Sequence, residues 1–174
     1  MFCVPVPERG VFILLKRIRL VFNERIAMVQ GHRKEGVVYL VGAGPGRADL
    51  ITVRGLELLK RADCVVRDKL ANPALLKYAG EHAEIINVPK RVGRASVSQE
   101  QINQIIRDKA REGLTVVRLK GGDPCMFGRG WEEARLLAAE GINFEIVPGI
   151  TAGVAAGEYA GIALTDRNFS SEVI

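Results

Sequence analysis

The residues best suited to chemistry lie in two glycine-rich segments. Residues 42–46 read GAGPG, and residues 118–130 read RLKGGDPCMFGRG. Glycine adopts positive φ and lets a ligand approach the backbone, while Pro45 stiffens the first segment. That segment alone fits a ligand loop and a tight turn equally well, and Arg47 stands where a dinucleotide-binding fingerprint requires glycine. The second segment holds more glycine than a turn needs, which favours a ligand-binding loop.

Three further segments carry polar or small residues of possible function. Asp68, in the sequence RDK, could hold a ribose hydroxyl, act as a base, or pair with its two basic neighbours. Residues 89–94 read PKRVGR, a compact basic segment that suits the binding of carboxylates or phosphates but also simple exposure to solvent. Residues 148–153 read PGITAG and permit close approach, although Thr151 could serve only as a helix N-cap.

The elements that must position these segments alternate along the chain. Strands are predicted at 37–41, 64–67, 84–88, 114–119 and 144–147. Helices are predicted at 52–62, at 73–78, after a capping box of Ser98 and Gln101, at 132–140, and from Thr151 onward. Strands joined through helices form parallel sheets, so the fold class is α/β: a mostly parallel five-stranded sheet with helices on both faces. The segments above then leave the carboxyl ends of the strands, where such sheets bind ligands.

Composition and charge narrow the classes of partner. The 174 residues carry a formal net charge of +5, but residues 1–35 hold seven Lys or Arg against three Asp or Glu. The other 139 residues have 18 basic and 17 acidic side chains, a balance that argues against nucleic acid as a partner. No apolar stretch approaches the roughly 20 residues that span a bilayer, so no membrane partner is expected. Three separated cysteines predict neither a metal site nor a disulfide framework, and with no secretory signal they predict a cytoplasmic protein.

The segments GAGPG, RDK, PKR, RLKGGDPCMFGRG and VPGITA, followed by AGIALTDR, resemble in order and spacing those of the tetrapyrrole methyltransferase family. The resemblance covers residues 37–167 and is greatest to the uroporphyrinogen-III C-methyltransferase branch. It implies C-methylation of uroporphyrinogen III to precorrin-2, with S-adenosylmethionine as methyl donor, on the path to sirohaem or cobalamin. It also implies that residues 36–165 form the first α/β domain and that 166–174 begin a second one. Residues 1–35 are expected to be an extension that is disordered or mis-annotated, the first 27 residues preceding a true start at Met28.

The resemblance assigns roles to individual residues. It implies that Asp68 is the proton acceptor and Lys90 the proton donor. Arg91 and Arg94 of the same basic segment would then receive substrate carboxylates. The residues implied to contact or line the methyl-donor site are Pro45, Gly121, Gly122, Asp123, Met126, Thr151 and Ala152.

Departures from the family pattern leave three functional interpretations. Arg67 replaces a tyrosine and Asp166 a histidine, but neither change removes a proposed catalytic group. The chain ends at Ile174, where the family continues into a second domain that supplies the other wall of the cleft. The chain is thus expected to be a truncated, weakly active methyltransferase, or a non-catalytic binding half or split-enzyme partner, or a related enzyme acting on a corrinoid precursor or ribosomal RNA. A homodimer is possible for the full-length family.

Overall fold

The computed structural model describes residues 36–88 and 97–169. The strands are β1 (Val37–Gly42), β2 (Cys64–Asp68), β3 (Glu84–Val88), β4 (Thr115–Lys120) and β5 (Asn143–Val147). The α-helices are α1 (Val53–Lys60), α2 (Gln99–Arg111), α3 (Gly130–Ala139) and α4 (Ala152–Tyr159), and two 3-10 helices span Ala48–Leu50 and Pro73–Tyr78. The predicted extension at 1–35 and the basic segment at 89–94 lie outside the described residues.

The five strands form one sheet in the order β3-β2-β4-β1-β5. Every neighbouring pair is parallel, so the predicted α/β class is confirmed. The helix predicted at 73–78 is a 3-10 helix, with Asn72 accepting a hydrogen bond from the amide of Ala74. Among the described residues, no helix is long and apolar enough to cross a membrane.

Side-chain alternation along the strands builds a separate apolar core on each face of the sheet. Val116 points into the core covered by α2 and α3, and the next residue, Val117, points into the core covered by α1 and the 3-10 helix at Pro73–Tyr78. Helix α2 starts at the predicted capping box, in which Ser98 and Gln101 each accept a hydrogen bond from the other's backbone amide. Helices therefore cover both faces, as predicted.

After the adjacent strands β1 and β4, the chain continues on opposite faces of the sheet. The segment after β1 leads to α1 on one face, whereas the segment after the adjacent β4 leads to α3 on the other. Such a divergence opens a crevice at the carboxyl ends of the strands, and open α/β sheets bind ligands at this point. The two glycine-rich segments of the sequence are the connections that diverge here.

Three glycines bring the connections after β1, β4 and β5 into backbone contact at the crevice. A Cβ atom on Gly149 would lie 2.4 Å from the carbonyl oxygen of Gly122 and 2.8 Å from the Cα of Gly42. Gly44 and Gly122 also exchange two backbone hydrogen bonds, of 3.2 and 2.8 Å. Any side chain at Gly149 would force these backbones apart, so the three connections form one packed unit only when glycine occupies this position.

We therefore expect Gly149→Ala to lower the free energy of unfolding by about 1–3 kcal/mol, the usual cost of overpacking a close contact. The matched control is Gly153→Ala in α4, where no atom beyond the neighbouring residues and the backbone of the helix itself lies within 4 Å of the added Cβ. The control should leave stability unchanged or raise it by up to about 1 kcal/mol, because alanine favours helix. Urea unfolding of both variants measures the difference, and equal effects would show that the glycine contact does not constrain the fold.

Candidate active site

A cavity of about 550 Å³ opens at the crevice. Its size is that of a small-molecule binding site. Eight of the predicted site residues line it: Pro45, Asp68, Gly121, Gly122, Asp123, Met126, Thr151 and Ala152. The other three predictions, Lys90, Arg91 and Arg94, lie outside the described residues.

Gly122 shapes the cavity through its backbone conformation. Its φ is +63°, which disfavours any residue with a side chain, and its amide donates to the carbonyl of Gly44. This amide is therefore engaged within the protein and holds the two loops together. A Cβ on Gly122 would lie 3.4 Å from the amide nitrogen of Ala152, so a methyl group fits but a larger side chain must enter the cavity.

Asp123 ties two of the loops together with its carboxylate. One oxygen accepts the amides of Cys125 (2.8 Å) and Met126 (3.2 Å), and the other accepts the amide of Gly149 (3.0 Å). Three backbone donors use most of the acceptor capacity of a carboxylate. Asp123 thus fixes the wall of the cavity.

The loop between β4 and α3 coils back on Pro124. The amide of Gly130 donates to the carbonyl of Pro124, and a Cβ on Gly128 would lie 2.4 Å from the same oxygen. Phe127 and Arg129 adopt left-handed backbone conformations, with φ of 54° and 58°, which cost non-glycine residues about 1–2 kcal/mol each. Phe127 is fully exposed and Met126 is 54% exposed, so the loop presents an apolar edge at the mouth of the cavity.

Thr151 begins α4 but does not cap it with its side chain. It occupies the N-cap position, yet its hydroxyl makes no capping hydrogen bond. Thr52, by contrast, caps α1 by accepting the amide of Gly55 at 3.1 Å. The alternative that Thr151 acts only as a cap therefore has no support in the geometry.

Asp68 is the carboxylate with acceptor capacity to spare. It lies at the end of β2, and its two contacts, with the Leu70 amide and with Arg118, are both long at 3.4 Å. The neighbouring Arg67 turns away and donates instead to Asn87 Oδ1 and the Ala71 carbonyl, each at 2.7 Å. Among the described residues, the ion-pair partner of the Asp68 carboxylate is Arg118 and neither Arg67 nor Lys69, so the interpretation that Asp68 simply pairs with its two basic neighbours is wrong. The side chain of Asp68 is 30% exposed and lines the cavity.

Behind Asp68 lies a buried group of charged side chains for which no role was predicted. Arg118 and Lys120 are 1% and 2% exposed, and both hydrogen-bond to Glu133, which is 1% exposed. Burial lowers the pKa of Lys120 despite this carboxylate. The signal was present in the strand sequence TVVRLK, in which Arg118 and Lys120 lie two residues apart, on one face of a central strand whose other residues after Thr115 are apolar.

The two described cysteines offer no nucleophile. Cys64 is buried, and desolvation raises the pKa of its thiol to about 11. Cys125 is exposed, but partial desolvation also raises the pKa of its thiol. Because the thiolate is the reactive form, both groups are poorly suited to accept an alkyl group at neutral pH.

The family model of the Tetrapyrrole (Corrin/Porphyrin) Methylases matches residues 37–174. The chain belongs to this family. Uroporphyrinogen-III C-methyltransferase of Bacillus subtilis is 51% identical over 138 residues, and siroheme synthase of Ectopseudomonas mendocina is 53% identical over 167 residues. These matches cover 79% and 96% of this chain, respectively.

A solved methylase structure has the same fold. The uroporphyrin-III C-methyltransferase of Thermus thermophilus complexed with S-adenosylhomocysteine superimposes with a TM-score of 0.67 at 41% identity, over 79% of this chain. This chain spans only part of each of these proteins: 29% of the Bacillus relative, 34% of the siroheme synthase and 57% of the Thermus chain. The family and its fold are thus established for the chain, and the activity of a whole methylase is a proposal.

The cavity geometry predicts that Gly122→Leu abolishes binding of S-adenosylhomocysteine, because the new side chain must occupy cavity space. Gly122→Ala is the matched control, since its methyl group fits and only the positive φ is strained. Isothermal titration calorimetry of both variants measures the effect. Unchanged binding by the leucine variant would show that the donor does not lie against Gly122.

Proposed function

We propose that this chain forms one half of a uroporphyrinogen-III C-methyltransferase that converts its substrate to precorrin-2 with S-adenosylmethionine as methyl donor. One observation carries the proposal. Eight residues that the family resemblance assigns to the donor site or to proton transfer line a single cavity, where the diverging connections of β1 and β4 meet.

The cavity fits the proposed methyl donor. Its volume of about 550 Å³ suits a small molecule, and its walls combine glycine backbone with the apolar edge of Met126. The donor would be held by the loop at 121–123, by Met126 and by the start of α4. Asp68 would add a negative charge to the site of this donor, whose sulfonium group is a cation. When bound, the sulfonium group supplies an electrophilic methyl with a good leaving group. The main task of the protein is then to position the two reactants, which can reach effective molarities of about 10⁵ M or more.

Asp68 is the proposed proton acceptor in the methylation of the pyrrole ring. Methyl transfer makes the attacked pyrrole carbon quaternary and leaves a positive charge on the tetrapyrrole, which is neutralised when a proton leaves a ring nitrogen or a bridging carbon. A positioned base typically contributes about 10²- to 10⁴-fold to the rate of such a step. Both of its hydrogen bonds are long, at 3.4 Å, so its lone pairs remain available. Its place at the cavity wall brings this capacity to the reacting molecule.

The basic segment is the proposed site for the substrate carboxylates. Val88, the last residue of β3, lines the cavity, and residues 89–94 follow it directly in the chain. Arg91 and Arg94 would bind carboxylates through charge-assisted hydrogen bonds, and Lys90 would donate a proton. The two described cysteines are free thiols, which fits our proposal that the reaction takes place in the reducing cytoplasm.

The direct test is transfer of radiolabelled methyl from S-adenosylmethionine to uroporphyrinogen III. We expect weak transfer by this chain and strong transfer by a chimera that adds the portion of the Priestia megaterium uroporphyrinogen-III C-methyltransferase that the chain does not match. Two methyl groups should enter each tetrapyrrole. A folded chimera that binds S-adenosylhomocysteine but labels only a corrinoid precursor or ribosomal RNA would contradict the proposed substrate.

In the same chimera, Asp68→Asn should lower kcat by about 10²- to 10⁴-fold, since the amide cannot accept the proton. The affinity for S-adenosylhomocysteine should stay essentially unchanged. Asp49→Asn is the control, because this carboxylate is exposed and pairs with Arg47 outside the cavity. Parallel loss of turnover and of calorimetric affinity in the Asp68 variant would indicate a structural role for the residue.

A further inference from the structure

The buried Glu133 holds three donors on one carboxylate. Its Oε1 accepts from Arg118 Nε at 3.1 Å and from Gln99 Nε2 at 3.0 Å, and its Oε2 accepts from Lys120 Nζ at 2.9 Å. It lies in the first turn of α3, where the helix dipole favours a negative charge. The proposed reaction uses none of these contacts directly, so the cluster requires a separate explanation.

The cluster ends at the proposed proton acceptor. Asp68, Arg118 and Lys120 lie on the face of the sheet that α2 and α3 cover, on the neighbouring strands β2 and β4. Arg118 uses Nε for Glu133, Nη1 for the Val66 carbonyl and Nη2 for Asp68. Asp68, Arg118, Glu133 and Lys120 thus form a chain of alternating charge in which two carboxylates balance two cations.

Glu133 takes the shorter contact with each cation. Arg118 lies at 3.1 Å from Glu133 but at 3.4 Å from Asp68, and the Lys120 ammonium bonds to Glu133. Interactions between charges are strong in this buried region because water does not screen them. Without the Glu133 charge, Asp68 would be the one carboxylate left in this group of four side chains to pair with the two cations. An ion-paired carboxylate is a weaker proton acceptor.

On this geometry, and given the proposed function, we propose that Glu133 is a positioning residue that engages Arg118 and Lys120 and so keeps the carboxylate of Asp68 available for proton transfer. The role differs from that of a fold-stabilising pair. A stabilising pair would affect donor binding and turnover together, whereas this role affects turnover alone.

The test is Glu133→Gln in the full chain and in the active chimera. The amide keeps the shape and removes the charge, so kcat should fall by about 10- to 100-fold, part of the contribution of a general base. Affinity for S-adenosylhomocysteine and KM should stay near those of the unsubstituted protein. Glu133→Asp retains the charge and should recover most of the lost turnover. Equal loss of donor affinity and turnover, or unchanged turnover, would overturn the proposal.

The adjacent Glu132 provides a matched control. It is exposed and pairs with Arg129 at the surface of the same helical turn, so Glu132→Gln removes the same charge one residue away. Its kcat should match that of the unsubstituted protein. A fall in kcat as large as that in Glu133→Gln would show that turnover depends on the negative charge at the start of α3 and not on the buried cluster.

A double variant covers the case in which Glu133→Gln alone fails to fold, since breaking a buried ion pair is strongly destabilising. Lys120→Met with Glu133→Gln removes one charge of each sign, so the protein should fold. Only Arg118, rather than both cations, is then left to pair with Asp68, so turnover should stay within about tenfold of that of the unsubstituted protein. A folded double variant that binds donor but has lost turnover would contradict the proposal.

A crystal structure of the charge-removed protein separates this inference from the proposed function. In Glu133→Gln, or in the double variant if Glu133→Gln does not fold, the contact between Arg118 and the Asp68 carboxylate should become shorter than its present 3.4 Å, and Lys120, where it is retained, should move to within hydrogen-bond distance of Asp68. Cations that stay in place would overturn the inference whatever the substrate proves to be. Absence of methyl transfer by the unsubstituted chimera, with the expected movement observed, would count against the proposed function alone.

Discussion

The backbone contact among Gly42, Gly122 and Gly149 is the constraint on which the site depends. With no side chains between them, the connections after β1, β4 and β5 approach closely enough for Gly44 and Gly122 to exchange hydrogen bonds. Asp123 then joins the β4 and β5 connections through its carboxylate. The cavity wall is therefore set by main-chain packing, which does not adjust easily when a side chain is added.

A group of buried, charged side chains lies beneath this wall. Arg118 and Lys120 lie in a central strand whose other residues after Thr115 are apolar, and Glu133 from α3 pairs with both. Buried charges of this kind are costly unless paired, and replacing them with apolar residues often leaves stability unchanged or improves it. Their presence directly behind Asp68 fits a role in the chemistry of the cavity better than a role in stability.

Much of the fold could be predicted from the sequence, because strand and helix periodicity and the Ser98 capping box are local signals. The predicted bounds of β3 and of the 3-10 helix at Pro73–Tyr78 agree with the structure. For the other elements, most of the predicted ends lie one or two residues from the observed ends. The convergence of the glycine-rich segments followed from the parallel topology. The partners of Asp68 and Asp123 could not be predicted, because they depend on strand order and loop packing across 26 to 50 residues of sequence.

We propose, above all, that the donor lies in the crevice, against the loop at 121–123 and the start of α4. A crystal structure of the chain with S-adenosylhomocysteine tests it most directly. We expect ligand density in contact with Gly121, Gly122 and Ala152. Density stretched along residues 42–46 alone, or bound on another surface of the domain, would contradict it.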